Sequence, residues 1–498
     1  MTAHPGEKTN PADGVEPSGG DGQVPAAPGS GASPTRRGSR VVVLGGGPGG
    51  YEAALVARQL DAEVTLIERN GIGGAAVLTD VVPSKSLIAS ANMVAKTEVA
   101  EWMGISRGQP QSGLEVDLAR LNDQVLTLAH QQSADIRANL ERAGIEVVDG
   151  EGRLLAPDRV AVTTPGRERE FPAEVVLLAT GASPRVLPTA VPDGERILTW
   201  TQLYRLRELP ERLIVVGSGV TGAEFANAYG ALGCDVVLVS SRDRVLPGED
   251  GDAAELIEGA FRRRGMEVLS RSRAAAVERR GEGVVVTLED GREVEGSHCL
   301  VAVGGVPNTA GLGLEEAGVA LAPSGHITVD RVSRTTVRGV YAAGDVTGVL
   351  PLASVAATQG RIAMWHALGD AVAPLDVSKV PATVFTSPEI ATVGVSAADA
   401  EAHDARVRVV PLSRNPRAKM MGIEEGFIKV VARQGSGSVL GGVVVSPRAS
   451  ELIHVLTLAV TTRCTVDELA TTMTIYPSLS GSIAEAARLL HMPTFGDG

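Results

Sequence analysis

The feature that most constrains this chain occurs twice: a β-branched strand, a glycine-punctuated turn, a small-residue helix, then a second strand. The first copy runs Val41-Val42-Val43-Leu44 into a GxGxxG on Gly45, Gly47 and Gly50. A helix rich in alanine is expected over about 51–60, followed by strand Val64-Thr65-Leu66-Ile67, which ends at Glu68. The second copy runs Leu213-Ile214-Val215-Val216 into Gly217, Gly219 and Gly222, with Glu224 two residues further on. A helix through Leu232 and strand Val236-Val237-Leu238-Val239 follow, ending at Ser240. Continuous apolar runs of this kind read as parallel strands buried on both faces. The glycines permit the tight turn and let backbone N–H groups approach a pyrophosphate at the helix N-terminus. Strand, glycines, helix, strand and terminal residue in order are far more specific than a lone glycine motif. Two such units in one α/β chain imply two dinucleotides, and so electron transfer between them.

The two units differ where each meets the ribose. Glu68 lies 18 residues after Gly50, and Ser240 lies 18 after Gly222. A carboxylate accepts hydrogen bonds from a ribose 2′-OH and repels a 2′-phosphate. Hydroxyls and guanidinium groups accept that phosphate, and Ser240 is followed by Ser241, Arg242 and Arg244. The first site is therefore expected to hold FAD and the second to take NADPH, with NADH tolerated. The competing reading leaves Arg242 and Arg244 as solvated surface residues.

A length of 498 residues suggests three or four domains. The net charge of −13 argues against nucleic acid or an anionic membrane as the main partner. No apolar run reaches the length of a membrane span, so no stable membrane insertion is expected. The three cysteines, Cys234, Cys299 and Cys464, form neither a CxxC pair nor a cluster with histidine. That predicts no disulfide framework and no metal site, and fits the cytoplasm. Residues 1–38 are rich in Pro, Gly, Ser and Ala without apolar periodicity, and read as a disordered tail. Arg36-Arg37 imitates a twin-arginine export signal, but the apolar run behind it turns directly into the glycine loop and is better explained as a first strand.

Further along, Leu121, Val125, Leu128, Ile136 and Leu140 recur at helical spacing up to Gly144. Val284–Leu288, Phe427–Val431 and Leu440–Val445 read as strands, and Glu451–Thr461 as a helix. Several short motifs carry a resemblance. They are Ala179-Thr180-Gly181-Ala182-Ser183-Pro184, Gly304-Gly305-Val306-Pro307-Asn308, Thr336 to Asp345, and Pro381 to Ile390. With the two glycine loops, they follow in order the pattern of the flavoprotein disulfide reductases, and the chain from about 39 to 490 resembles the dihydrolipoamide dehydrogenase-like members. The resemblance implies two Rossmann-like dinucleotide-binding domains, for FAD and NAD(P), plus a C-terminal α+β dimerisation domain. The expected layout is 39–186 and 305–379 for FAD, 187–304 for NAD(P), and 380–498 for dimerisation of a homodimer. It also implies FAD contacts at Thr180, Gly181 and Asp345, and a nucleotide contact at Gly304.

Where this chain departs from that pattern matters most. The family's active-site segment, Gly-Gly-Thr-Cys-x4-Cys-x-Pro-Ser-Lys, falls on Gly73 to Lys85, and places its two redox cysteines on Ala76 and Val81. Dithiol–disulfide exchange requires a thiolate, so none can run through this helix. The family's C-terminal His and Glu fall on Tyr476 and Gly481. A phenol, with a pKa of about 10, is a poor base at neutral pH. The flavin side is kept. Lys85 takes the position of the family ammonium near flavin N5, pairing with the acid at Glu224, and a helix beginning near Leu352-Ala353 points its dipole at the same ring. The expected activity is an NAD(P)H:quinone reductase (a diaphorase): hydride to FAD, then two electrons to a quinone stacked where the disulfide would be. Tyr476 from the partner chain is expected either to hydrogen-bond a quinone oxygen or simply to pack in the interface. Two alternatives stand beside this: a soluble pyridine nucleotide transhydrogenase, and a flavin-bearing scaffold subunit.

Overall fold

The computed structural model describes residues 38–102, 104 and 115–491, so the expected tail, apart from Gly38, lies outside the described residues. The first glycine loop sits on a five-stranded sheet in the order Val340–Ala342, Val175–Leu178, Arg40–Leu44, Glu63–Glu68, Glu146–Asp149, parallel throughout. Arg40–Leu44 is its central strand, which is why four consecutive residues there, Val41 to Leu44, are all buried. Helix α1 spans Pro48–Gln59. It begins three residues earlier than the alanine pattern suggested, because proline's fixed φ and missing N–H suit the first helical position.

Helices α2 (Gly74–Leu78) and α3 (Val81–Trp102) follow, separated by the break at Thr79-Asp80. Helix α4 (Leu118–Arg142) is capped by Asp117, whose side chain accepts from Arg120 N, and it stops before Gly144, which has a φ of +81°. Val125, Ala129 and Leu140 face its core. Leu128, expected on that stripe, is instead 47% exposed, since Ala129 takes the inward place beside Val125.

The second glycine loop sits on a parallel sheet ordered Glu267–Leu269, Asp235–Val239, Arg212–Val216, His298–Val301, Ile197–Leu198. It carries α5 (Val220–Ala231) and α6 (Gly251–Arg263), the latter capped by Asp250. Each parallel sheet has an antiparallel three-stranded companion, Glu151–Pro172 on the first and Ala274–Gly296 on the second. Only Val284–Leu288 of these strands was legible as a strand. Chain passes between the two sheets through the paired short strands Ala182–Pro184 and Gly305–Pro307. Asn308 stitches that crossing: its Nδ2 donates to Thr180 O at 2.9 Å, while Thr180 Oγ1 donates to Asn308 O at 2.8 Å. Helix α7 (Ala353–Ala367) then returns to pack on α1.

The C-terminal part is a five-stranded antiparallel sheet, in the order Ala382–Val384, Glu389–Gly394, Val439–Ser446, Phe427–Arg433, Ala405–Pro411. Ile428, Val430 and Val444 bury one face against helices Ala449–Thr462 and Gly481–His491. The alternate residues Phe427, Val443 and Val445 share a core with α5 and α6. Lys429 reinforces that contact. Its buried ammonium lies 2.7 Å from both Asp250 and Asp252 at the start of α6.

Candidate flavin and nucleotide site

The two glycine loops are built alike. Gly45 and Gly217 have φ of +104° and +113°, and a Cβ on either would lie 2.2 Å from a carbonyl oxygen, of Ala179 and Ala302 respectively. A Cβ on Gly50 or Gly222 would lie 1.8 Å from the oxygen of Gly45 or Gly217. These four glycines are demanded by the fold itself. Gly47 and Gly219 differ: a Cβ on either meets nothing within 4 Å. Each stands just before a helix N-terminus, α1 or α5, with no side chain capping it. Open space against unsatisfied N–H groups is what a pyrophosphate requires.

At the strand ends the loops diverge. Glu68 is buried; Oε2 accepts from Gly46 N at 2.7 Å and Oε1 from Asn70 N at 2.6 Å. Ser240 is also buried, and here the sequence reading needs correcting. Its hydroxyl lies 2.6 Å from Ser218 Oγ and accepts from Arg242 N at 3.1 Å, so it is turned inward and holds the loop rather than facing a ligand. Ser241, Arg242 and Arg244 are exposed beside it. Among the described residues neither Arg242 nor Arg244 has an ion-pair partner, whereas the nearby Arg271 is paired with Asp243. Two unpaired guanidinium groups at this strand end suit a 2′-phosphate. Gly304 sits in the crossing, its carbonyl accepting from Arg185 N at 2.9 Å.

Between the two cradles lies the contact that the family resemblance implied: Lys85 Nζ is 2.8 Å from Glu224 Oε2. The carboxylate is almost wholly buried (4% exposed) and the ammonium is 28% exposed, so the cation is the end that remains accessible. Glu224 Oε1 accepts from Phe385 N at 2.9 Å, and the Phe385 ring centroid lies 5.1 Å from Lys85 Nζ. One helical turn on, Asn227 Oδ1 accepts from Ser387 N. Glu224 and Asn227 thus fasten α5 to the start of the C-terminal sheet. Phe385 was not legible as part of the site, because the contact joins residues 161 apart in the chain.

Val81 opens α3 and lies one turn before Lys85 on the same face; Ala76 sits in α2, and both are partly exposed. There is no sulfur in this face. The cysteines elsewhere are no substitute. Cys234 and Cys299 are buried, and burial raises both thiols, Cys234 to about 12. Cys464, half-buried, is also raised by burial, with Glu468 adding to the effect.

Two further carboxylates belong to this grouping. Asp345 follows Gly344, whose N–H is held by Gln359 Oε1 of α7 at 2.8 Å. Asp80 lies in the break between α2 and α3, and no motif in the sequence marks it as part of the site. Neither side chain accepts a hydrogen bond from any described residue. Burial raises both: Asp80 to about 6 against the pull of Lys85, and Asp345 against the pull of His326. α1 and α7 meet so closely here that a Cβ on Gly360 would lie 2.1 Å from Gly49 O. A Cβ on Gly49 would also lie 3.2 Å from the oxygen of Ala356, in the first turn of α7, whose N-terminus carries no side-chain cap.

The residues therefore fit a dinucleotide carrying a redox ring. The cradle at Gly47 has room for its pyrophosphate, Glu68 stands at the strand end, the Asp345 carboxylate accepts from no described residue, and Lys85 is a partly exposed cation. Tyr476 is not part of this grouping within one chain. It is 82% exposed, in a loop where Met473 and Ile475 are also bare, at 97% and 79%. Among the described residues there is no cluster of His, Cys, Asp or Glu suited to a metal, and no helix long and apolar enough to cross a membrane.

Comparison with known proteins agrees with this construction. Residues 39–360 match the pyridine nucleotide-disulphide oxidoreductase family model, and 380–487 match that family's dimerisation domain. The chain is 55% identical to an NAD(P)H dehydrogenase (quinone) of Mycobacterium tuberculosis over 471 residues, covering 91% of this chain and 94% of the relative. It is 34% identical to a dihydrolipoyl dehydrogenase of Zymomonas mobilis, over 90% and 96% of the two chains. The crystal structure of LpdA from M. tuberculosis superposes with a TM-score of 0.87 at 53% identity, covering 91% of this chain and all of that one. The chain belongs to the pyridine nucleotide-disulphide oxidoreductase family, with the FAD- and NAD(P)-type two-cradle fold of the flavoprotein disulfide reductases.

Proposed function

We propose that this protein is an FAD-dependent NAD(P)H:quinone oxidoreductase that works without disulfide chemistry, as a homodimer. The observation that carries the reading is a thiol-free helix face, Ala76 and Val81, beside an intact Lys85–Glu224 pair. Similarity to the mycobacterial quinone dehydrogenase supports the acceptor class, and the matched dimerisation domain supports the homodimer.

FAD, when bound, supplies a centre that takes a hydride from NAD(P)H and releases two electrons. Gly47 would meet its pyrophosphate in the turn that Gly45 and Gly50 shape, Glu68 would hold its ribose and Asp345 its polyol chain, with Thr180 and Gly181 closing the loop. Gly217, Gly219 and Gly222 hold the nicotinamide dinucleotide, and Ser241 and Arg242 meet its 2′-phosphate. Lys85 would place a positive charge where negative charge develops on reduction, which favours it at short range. Glu224 keeps that ammonium oriented and is itself fixed by Phe385 N. Ala76 and Val81 leave an apolar surface on which a planar quinone can stack. Tyr476, bare in one chain, is assigned to the subunit interface.

The test is anaerobic stopped-flow reduction by NADPH and by NADH, followed by mixing with menadione, lipoamide or oxygen. Rapid bleaching by NADPH and rapid reoxidation by menadione, with lipoamide inert, are expected. Brisk turnover of lipoamide overturns the reading.

A further inference from the structure

Asp80 occupies an unusual place. Its carbonyl accepts from Ser84 N at 2.8 Å, the first bond of α3, which makes it the residue that caps that helix. An aspartate there normally turns its carboxylate back onto the helix N–H groups. Asp117 and Asp250 do so on α4 and α6, accepting from Arg120 N and Ala253 N. Asp80 does not: its carboxylate accepts from no described residue. It lies within electrostatic reach of Lys85 on its own helix, Glu224 on α5, Asp345 beyond Gly344, and Tyr204 in the turn Leu203–Arg205. Only Lys85 among these is a cation, and Glu224 already holds it. The acid is thus left without a partner among the described residues, at the edge of the thiol-free face and one residue before Val81.

We propose that Asp80 is the general acid for the acceptor, handing a proton to the oxygen of a quinone seated over Val81 and Lys85. The inference rests on the quinone reading above. The balance is NAD(P)H + H+ + quinone → NAD(P)+ + hydroquinone. The quinone gains two electrons and two protons; NAD(P)H supplies both electrons and one proton together, as a hydride. The remaining proton breaks its bond to Asp80 Oδ and forms one to quinone oxygen, and solvent then reprotonates the carboxylate. Burial, by raising this carboxyl to about 6, keeps a usable fraction of the acid form near neutral pH. A general acid of this kind is worth about 100-fold or more in rate.

The experiment uses holoenzyme, wild type against Asp80→Asn and Asp80→Glu, with two acceptors. Menadione needs protons; ferricyanide takes electrons alone. Asp80→Asn is expected to lower kcat/KM for menadione by about 100-fold relative to ferricyanide. It is also expected to remove the fall in menadione kcat/KM as pH rises past about 6 in the wild type. Asp80→Glu restores most of the ratio, and bound-flavin absorbance checks that both variants fold. Infrared difference spectra across the same pH range give a readout apart from turnover: a carboxyl C=O band that titrates in the wild type and is absent from Asp80→Asn. An unchanged acceptor ratio and pH profile in Asp80→Asn, beside an active wild type, overturns the proposal alone. A wild type that reduces ferricyanide but not menadione overturns the quinone reading, and this proposal with it.

Discussion

Gly219→Ala separates what the second cradle needs in order to fold from what it needs in order to bind. Gly219 has φ −72° and ψ −172°, extended backbone that alanine adopts freely, and a Cβ there meets no atom within 4 Å. The substitution should leave the fold intact, or stabilise it by about 0.4–1 kcal/mol through the unfolded chain. The added methyl does, however, stand where a pyrophosphate must close on the N-terminal N–H groups of α5. Losing one or two charge-assisted hydrogen bonds, at about 1.5–3 kcal/mol each, gives a cost of about 3 kcal/mol, roughly 150-fold in Kd. Isothermal titration with NADPH should read that loss, while flavin content and melting temperature stay at wild-type values. The control is Gly222→Ala, whose Cβ would sit 1.8 Å from Gly217 O and should cost stability itself. If Gly219→Ala binds NADPH within twofold of the wild type, the loop does not cradle the nucleotide and the reasoning fails.

Other outcomes follow from the same geometry. Lys85→Met strips the cation from a buried carboxylate, and should destabilise the protein by about 3 kcal/mol in urea unfolding and slow flavin bleaching by NADPH. An unaltered bleaching rate removes Lys85 from the chemistry. Arg242→Ala should cut the NADPH-to-NADH ratio of kcat/KM by about 10–100-fold through loss of a charge-assisted phosphate contact; an unchanged ratio contradicts the placement. Asp80 gives a stability signature as well. Its carboxyl is raised above its unfolded value of 3.8, to about 6, so its contribution is fully present below about pH 4 and is lost as pH rises through about 6. That loss is about 3 kcal/mol at 1.36 kcal/mol per tenfold, reduced to about 2 because part of the group meets water. The melting-temperature advantage of Asp80→Asn should therefore grow between about pH 4 and pH 6 and then level off, and a pH-independent difference counts against the burial argument.

The parts of this molecule that could be read from sequence are those in which a local pattern carries its own geometry. Gly45 and Gly50, like Gly217 and Gly222, are required by close backbone approach, and their spacing announced both cradles. The Lys85–Glu224 contact could be read because each residue is anchored to a recognisable segment. Other features needed the third dimension. Position at a strand end says where Ser240 lies, but not that its hydroxyl turns inward to Ser218. Phe385 reaches Glu224 only after the C-terminal sheet docks on α5. Asp80 could be seen in the chain, yet only the surroundings reveal that its carboxylate accepts from no described residue. The start of α1 at Pro48 was decided by proline chemistry that alanine content does not register.

If Ala76 and Val81 leave the flavin without a sulfur partner, electrons must leave the enzyme straight from that ring. Anaerobic titration with dithionite, following absorbance to the end point, tests this most directly. Two reducing equivalents per bound flavin are predicted; uptake of four would reveal a second two-electron centre and contradict the account.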